Sequence, residues 1–241
     1  MACDRLSILY EDNHLLAVEK PAGVATMGAR SGEPSVLDMA KGYIKQRYDK
    51  PGAVYLGVVS RLDRPVTGVL IFARTSKAAA RLTDAFRTRR VVKTYLASVV
   101  GQPPAPEGSL VHHLNKDERR RRMYATHADA PGAKRAELTY RVLLSEGGRG
   151  LLVVAPQTGR KHQIRVQLAK AGAPILGDAK YGGPAAEAAG IALHAWRLEF
   201  EHPVRRTPLV IGCDPPTDPG GGWGGWEGKR LAEALRSAAT A

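Results

Sequence analysis

Apolar positions along this chain recur mainly in short alternating or continuous runs, the spacing of strands, with a few stretches of helical spacing between them. Ser7-Ile8-Leu9-Tyr10 and His14-Leu15-Leu16-Ala17-Val18-Glu19-Lys20, joined by Glu11-Asp12-Asn13, predict a β-hairpin that Pro21-Ala22-Gly23 stops. Ser35 is placed to cap a helix running to about Tyr48, with Val36, Leu37, Met39, Ala40, Tyr43 and Ile44 as its apolar stripe. Val58-Val59 ends one strand and Val69-Leu70-Ile71-Phe72-Ala73 forms the next, with Pro65 and Gly68 marking the turn. Ser76 is expected to cap a second helix to about Arg89 that buries Ala79, Leu82, Ala85 and Phe86. Val91 to Val100 reads as a strand closed by Gly101, and residues 102–108, with three prolines, as a loop. Lys134 to Ser145 and Gly150 to Pro156 predict an antiparallel pair. Thr158-Gly159-Arg160 then leads into a helix over Lys161 to Lys170, ended by Gly172 and Pro174. Ile191 to Phe200 is a final strand. From about Pro215 the pattern changes to Pro-Pro-Thr-Asp-Pro, a glycine-rich stretch with Trp223 and Trp226, and an Ala/Leu/Arg end. Residues 215–228 read as a linker and 229–238 as a marginal helix, in a tail (215–241) separate from the domain over 1–214. Strands dominate and no internal repeat is visible, so the expected class is α+β, around a mixed, mainly antiparallel sheet.

Composition narrows the partners. The 241 residues suffice for one large or two small domains with a substantial core, and the 44% hydrophobic and 24% charged fractions are ordinary for a globular protein. The balance of 36 Lys+Arg against 23 Asp+Glu is less ordinary: the net charge is +13, which attracts polyanions, nucleic acid or an anionic membrane surface first among them. No apolar run approaches the roughly 20 residues of a spanning helix, and the N-terminus lacks the apolar core of a signal peptide. Cys3 and Cys213 stand at opposite ends without metal-like spacing. A reduced, cytoplasmic setting is expected, with no membrane partner and a monomeric chain.

One stretch concentrates candidate chemistry: Val58-Val59-Ser60-Arg61-Leu62-Asp63-Arg64-Pro65-Val66-Thr67-Gly68. Its single carboxylate, Asp63, lies between Arg61 and Arg64, an environment that lowers a carboxyl pKa and suits a nucleophile or base better than a proton donor. A surface Arg-Asp-Arg salt bridge is the plain alternative. Lys116-Asp117-Glu118-Arg119-Arg120-Arg121-Arg122 is either a solvated face or a grip for phosphates. His162 lacks a second metal ligand at helical or hairpin spacing, and His112-His113 belong to another segment, so a structural or RNA-facing histidine is the better reading. No Gly-rich phosphate loop and no Ser/His/Asp arrangement is present, so no cofactor and no metal are implied.

Arg61-Leu62-Asp63-Arg64 followed by Thr67-Gly68 and an apolar strand resembles the catalytic motif of the RluA family of RNA pseudouridine synthases. Leu9-Tyr10-Glu11-Asp12 through Glu19-Lys20-Pro21-Ala22-Gly23 resembles the family's opening. Lys93-Thr94-Tyr95 resembles the strand bearing its active-site Tyr, and Thr158 to Arg165 with Gly177-Asp178-Ala179-Lys180-Tyr181-Gly182 its later motifs. The resemblance implies the pseudouridine synthase fold over 1–214, with no separate N-terminal RNA-binding domain, and isomerisation of uridine in ribosomal or transfer RNA without metal or organic cofactor. It implies Asp63 as the catalytic carboxylate, which attacks the anomeric carbon or removes a neighbouring proton. Arg165 would be the basic partner that keeps Asp63 ionised and oriented, and Tyr95 the ring that packs on the base. Arg61 would fill the gap left by a flipped base or contact phosphate. Arg64, Lys93, Arg160, Lys161, His162 and Arg119 to Arg122 are the further RNA-binding candidates. Relatives commonly carry His where Ser60 stands, and a different turn where Pro65-Val66 stands, which bears on loop contacts to RNA more than on chemistry. A catalytically idle RNA-binding protein is the rival reading; intact Asp63, Tyr95 and Arg165 favour the enzyme.

Overall fold

The computed structural model describes residues 6–29, 32–101, 103–185, 190–216, 223, 226 and 228–240. Its elements run β1 (Ser7–Glu11), β2 (Leu15–Lys20), α1 (Val36–Arg47), β3 (Gly57–Val58), β4 (Thr67–Ala73), α2 (Ser76–Arg87), β5 (Val92–Val100), β6 (Glu107–Asp117), β7 (Arg122–Thr126) and β8 (Lys134–Glu146). They continue with β9 (Arg149–Pro156), α3 (Gln163–Lys170), a 3-10 turn at Ala179–Tyr181, β10 (Leu193–Glu201), β11 (Pro208–Gly212) and α4 (Gly228–Thr240). The class is α+β. The chain groups into two compact units, Met1–Lys93 with Ala195–Asp214 and Thr94–His194 with Pro215–Ala241.

In the first unit β1, β2 and β4 form an antiparallel ladder, with β3 on β4 and β11 on β10. Alternation along β2 and β4 explains why both read as unbroken apolar runs, since both of their faces are buried. Leu15, Ala17, Val69 and Ile71 pack with Leu82 and Ala85 of α2, while Leu16, Val18, Leu70 and Phe72 pack with Val36, Ala40 and Ile44 of α1. Ser35 caps α1 as its sequence indicates, in a reciprocal box with Asp38. The cap of α2 is Thr75 rather than Ser76: the Thr75 hydroxyl accepts the Ala78 N–H at 3.2 Å, and Ala78 takes the fully buried place expected of Ala79. Gly68 opens β4 at φ 112°, where a β-carbon would run into the Ala195 backbone. Burial pushes the Cys213 thiol up to about 12, so it is not a thiolate at neutral pH; Cys3 lies outside the described residues.

The second unit carries an antiparallel ladder in the order β5-β9-β8-β6-β7. Here the sequence reading is corrected. The proline-rich loop ends at Glu107, where an eleven-residue strand, β6, begins, and the charged run closes a hairpin between β6 and β7. The third helix starts at Gln163, not Lys161, because His162 takes a left-handed conformation (φ 53°, ψ 21°). Leu114, Ala136, Val166 and Tyr181 form the cluster beneath α3.

The tail is also corrected. Most of residues 215–228 lie outside the described residues, but Trp223 is 2% exposed, with its ring edge-on to His194, and Trp226 is buried beneath the Arg149 guanidinium. α4 buries Leu231 and Leu235 and packs along β8. Gly and Pro make the segment costly to order, yet two indole rings supply the apolar area that docks it. Trp223→Ala is therefore expected to cost about 3–5 kcal/mol, a fall of about 10 °C in melting temperature. A melting temperature unchanged by more than a degree or two would show that the ring contributes nothing.

Candidate active site

Asp63 sits in a turn built by main-chain geometry: its carbonyl accepts the Val66 N–H at 3.0 Å, just before β4. The end of β2 and the segment after it hold that turn from below. Lys20 is fully buried, and its ammonium donates to the carbonyls of Pro21 and Val24 at 2.7 Å and of Arg64 at 3.0 Å. Thr26 clamps Leu62 on both sides, its hydroxyl donating to the Leu62 carbonyl and accepting the Leu62 N–H. The Gly23 N–H donates to the Arg64 carbonyl at 2.9 Å. The residues on both sides of Asp63 are thus tied to one strand end, which fixes the carboxylate's origin. Burial pushes the Lys20 ammonium down to about 8, while the charge of Asp63 works to raise it. Arg64 donates to the Gly23 carbonyl and pairs with Glu33 at 3.0 Å, so it braces the loop with a half-exposed side chain. Arg61 is exposed. Lys93 is half-buried, and desolvation, with Arg89 adding to it, lowers its pKa.

In the second unit, Tyr95 lies half-buried on β5 opposite Val154. Arg165 is 5% exposed on α3 and grips Asp178 with two parallel bonds, Nε to Oδ2 at 2.7 Å and a terminal nitrogen to Oδ1 at 2.8 Å. This fork fixes the guanidinium plane in a way no lysine can. The Arg165 guanidinium also lies 5.0 Å over the Tyr181 ring. The start of α3 is set by Gln163, whose side-chain oxygen accepts from Thr158 Oγ1 at 2.7 Å and from the Arg160 N–H at 2.9 Å. His162 contacts the Tyr181 hydroxyl through Nδ1 at 2.6 Å. Arg160 and Lys161 are exposed, Arg160 donating through Nε to the Arg135 carbonyl.

The arginine run divides. Arg119, Arg120 and Arg121 are exposed at the β6–β7 turn, with the Arg120 N–H held by Asp117 and Arg121 left-handed at φ 48°. Arg122 is half-buried, its guanidinium 5.6 Å over the Tyr181 ring. Among the described residues no group of three or more His, Cys, Asp or Glu side chains could hold a metal ion, and no helix is long and apolar enough to cross a membrane.

Three residues that carry this arrangement were not assigned roles from the sequence: Lys20, Asp178 and Tyr181. Each stands inside a stretch singled out as motif-like, Glu19 to Gly23 or Gly177 to Gly182. The signal was present, but only the fold shows which groups these side chains hold.

Comparison with known proteins gives one answer. The family model described as RNA pseudouridylate synthase matches residues 14–170. The chain is 33% identical over 228 residues to the ribosomal large subunit pseudouridine synthase D of Yersinia pestis, covering 88% of this chain and 68% of that one. It is also 33% identical over 218 residues to an RNA pseudouridine synthase of Bacillus subtilis (strain 168), covering 88% and 70%. Among solved structures, human RNA pseudouridylate synthase domain containing 4 superposes with a TM-score of 0.74 at 26% identity, over 95% of this chain and 93% of that one.

Proposed function

The chain belongs to the RNA pseudouridylate synthase family, and from that premise we propose that it isomerises uridine in ribosomal RNA of the large subunit, with Asp63 as the catalytic carboxylate. The observation that carries the assignment to Asp63 is its turn, tied on both flanks to the end of β2 through Lys20, Gly23 and Thr26. A carboxylate between two anchored neighbours is held where a reaction needs it rather than left to sample solvent. Transfer RNA is the second substrate class compatible with a net charge of +13, and the large-subunit names of the relatives favour ribosomal RNA.

The reaction needs neither oxidant nor reductant. The bond between uracil N1 and the ribose anomeric carbon breaks, the base turns, and C5 forms the new bond to that carbon. C5 then loses its hydrogen as a proton, and N1 ends protonated. An ionised Asp63 serves either opening step, attack on the anomeric carbon or removal of a neighbouring ribose proton. Tyr95 is the ring that packs on the extruded base, and Arg165 the basic residue of the chemistry.

Because C5 loses its hydrogen, RNA labelled with tritium at uridine C5 reports turnover directly. Purified protein is expected to release tritium from large-subunit ribosomal RNA transcripts, up to one equivalent per target uridine. Transfer RNA transcripts run in parallel decide between the substrate classes. Binding without release from either would replace this reading with that of an RNA-binding protein.

A further inference from the structure

The arginine turn and the helix that carries Arg165 meet at one hydroxyl. The Tyr181 oxygen accepts the backbone N–H of Met123, the second residue of β7, at 3.0 Å. It stands 2.6 Å from His162 Nδ1, just before α3. The hydroxyl thus accepts from Met123 and shares a second hydrogen bond with His162 Nδ1. His162 is left-handed, a conformation that a β-carbon disfavours and that surrounding contacts must impose. Arg165 and Arg122 lie over the same ring, at 5.0 and 5.6 Å from its centroid. The neighbours of Tyr181 close the arrangement: Lys180 donates to the Arg121 carbonyl at 2.7 Å, and Asp178 takes the Arg165 fork.

We propose that Tyr181 is a positioning residue whose hydroxyl holds the β6–β7 hairpin in register with the start of α3. RNA phosphates held at Arg119, Arg120 and Arg121 and the guanidinium of Arg165 are thereby kept in one fixed relation. The inference rests on the reading of those three exposed arginines as a phosphate grip. It goes beyond that reading in giving an uncharged group control over both the grip and the chemistry.

The alternative is a tyrosine that only fills the cluster with Leu114, Ala136 and Val166. Tyr181→Phe separates the two, because it keeps the ring and its packing and removes only the oxygen. Two quantities are read on a large-subunit ribosomal RNA transcript labelled at uridine C5: the slope of log Kd against log salt, and the single-turnover rate of tritium release at saturating enzyme. Melting temperature checks the fold. The substitution changes no charge, so a packing role leaves the slope alone. The positioning role flattens it by one or two phosphate contacts, at about 0.7–0.9 each. It also lowers the single-turnover rate about tenfold or more, as Arg165 loses its fixed placement. Replacing Arg119, Arg120 and Arg121 with Ser should flatten the slope in the wild-type background and flatten it less when Tyr181 is already Phe. A change in slope without a change in rate, or in rate without slope, overturns the coupling, as does a Phe variant with both at wild-type values. A wild-type slope in the three-Ser variant removes the phosphate grip itself, and the inference falls with it.

Discussion

Asp63→Asn is expected to reduce tritium release by at least about 10³-fold, the upper part of the range for one positioned acid-base or nucleophilic group, while changing RNA affinity by no more than about twofold. The reasoning starts from the turn rather than from the side chain. The Asp63 carbonyl closes the turn on Val66, and its two neighbours are held through main-chain groups by Lys20, Gly23 and Thr26. Those main-chain bonds do not use the Asp63 carboxylate, so an amide of the same shape leaves them in place. What is lost is a negative charge whose field favours the Lys20 ammonium, and with it the carboxylate proposed to attack carbon or take a proton. Binding, by contrast, is set largely by phosphate contacts to a chain of net charge +13, and removing one negative charge opposes none of them. The measurement is single-turnover tritium release alongside Kd by filter binding. An Asn variant that keeps a few per cent of the wild-type rate would take the carboxylate's role away from Asp63. A variant that loses binding in parallel would make Asp63 a contact residue.

Much of this arrangement could be read from the residues because it is local. The apolar runs of β2 and β4, the Ser35 cap and the turn residues Pro65 and Gly68 are marked by neighbours within a few positions, where periodicity, capping chemistry and turn residues act. The β6–β7 hairpin was missed for an equally physical reason. Of the eleven residues of β6 only Leu110 and Leu114 are buried, and polar and charged residues fill much of the remainder, so no clean alternation marks the strand. Charge at Arg119 to Arg122 then masks the turn. The tail was misjudged because Gly and Pro content speaks to the cost of ordering, whereas Trp223 and Trp226 find partners more than a hundred positions away or across the chain's return, Trp226 donating to the Ser98 hydroxyl at 3.4 Å. Lys20, Asp178 and Tyr181 escaped for a further reason. A lysine wrapped in three carbonyls and an aspartate gripping an arginine thirteen positions earlier are facts of three-dimensional placement, so their motif-like surroundings marked the stretches without giving the side chains a role.

Asp178 carries the second large expected effect. Arg165 and Asp178 are 5% and 2% exposed and joined by two short bonds. Removing one partner of such a pair leaves an uncompensated buried charge, which costs about 3–5 kcal/mol. Asp178→Asn keeps the shape but presents an amide with one oxygen in place of a charged two-oxygen fork, so the melting temperature should fall by about 10 °C. Turnover should fall with it, because Arg165 loses the group that sets its plane. Loss of both properties in one variant does not separate positioning from folding, and the double variant Arg165→Met, Asp178→Leu does. Replacing both members of a buried pair with apolar residues of similar size is commonly neutral or stabilising. The double variant should therefore recover most of the lost melting temperature while staying inactive, since the cation itself is gone. If it recovers turnover along with stability, Arg165 is a structural residue and the chemistry does not need its charge. If Asp178→Asn melts like the wild type, the fork contributes little to the fold, and the place of Arg165 is set by the Tyr181 ring and the packing of α3 alone.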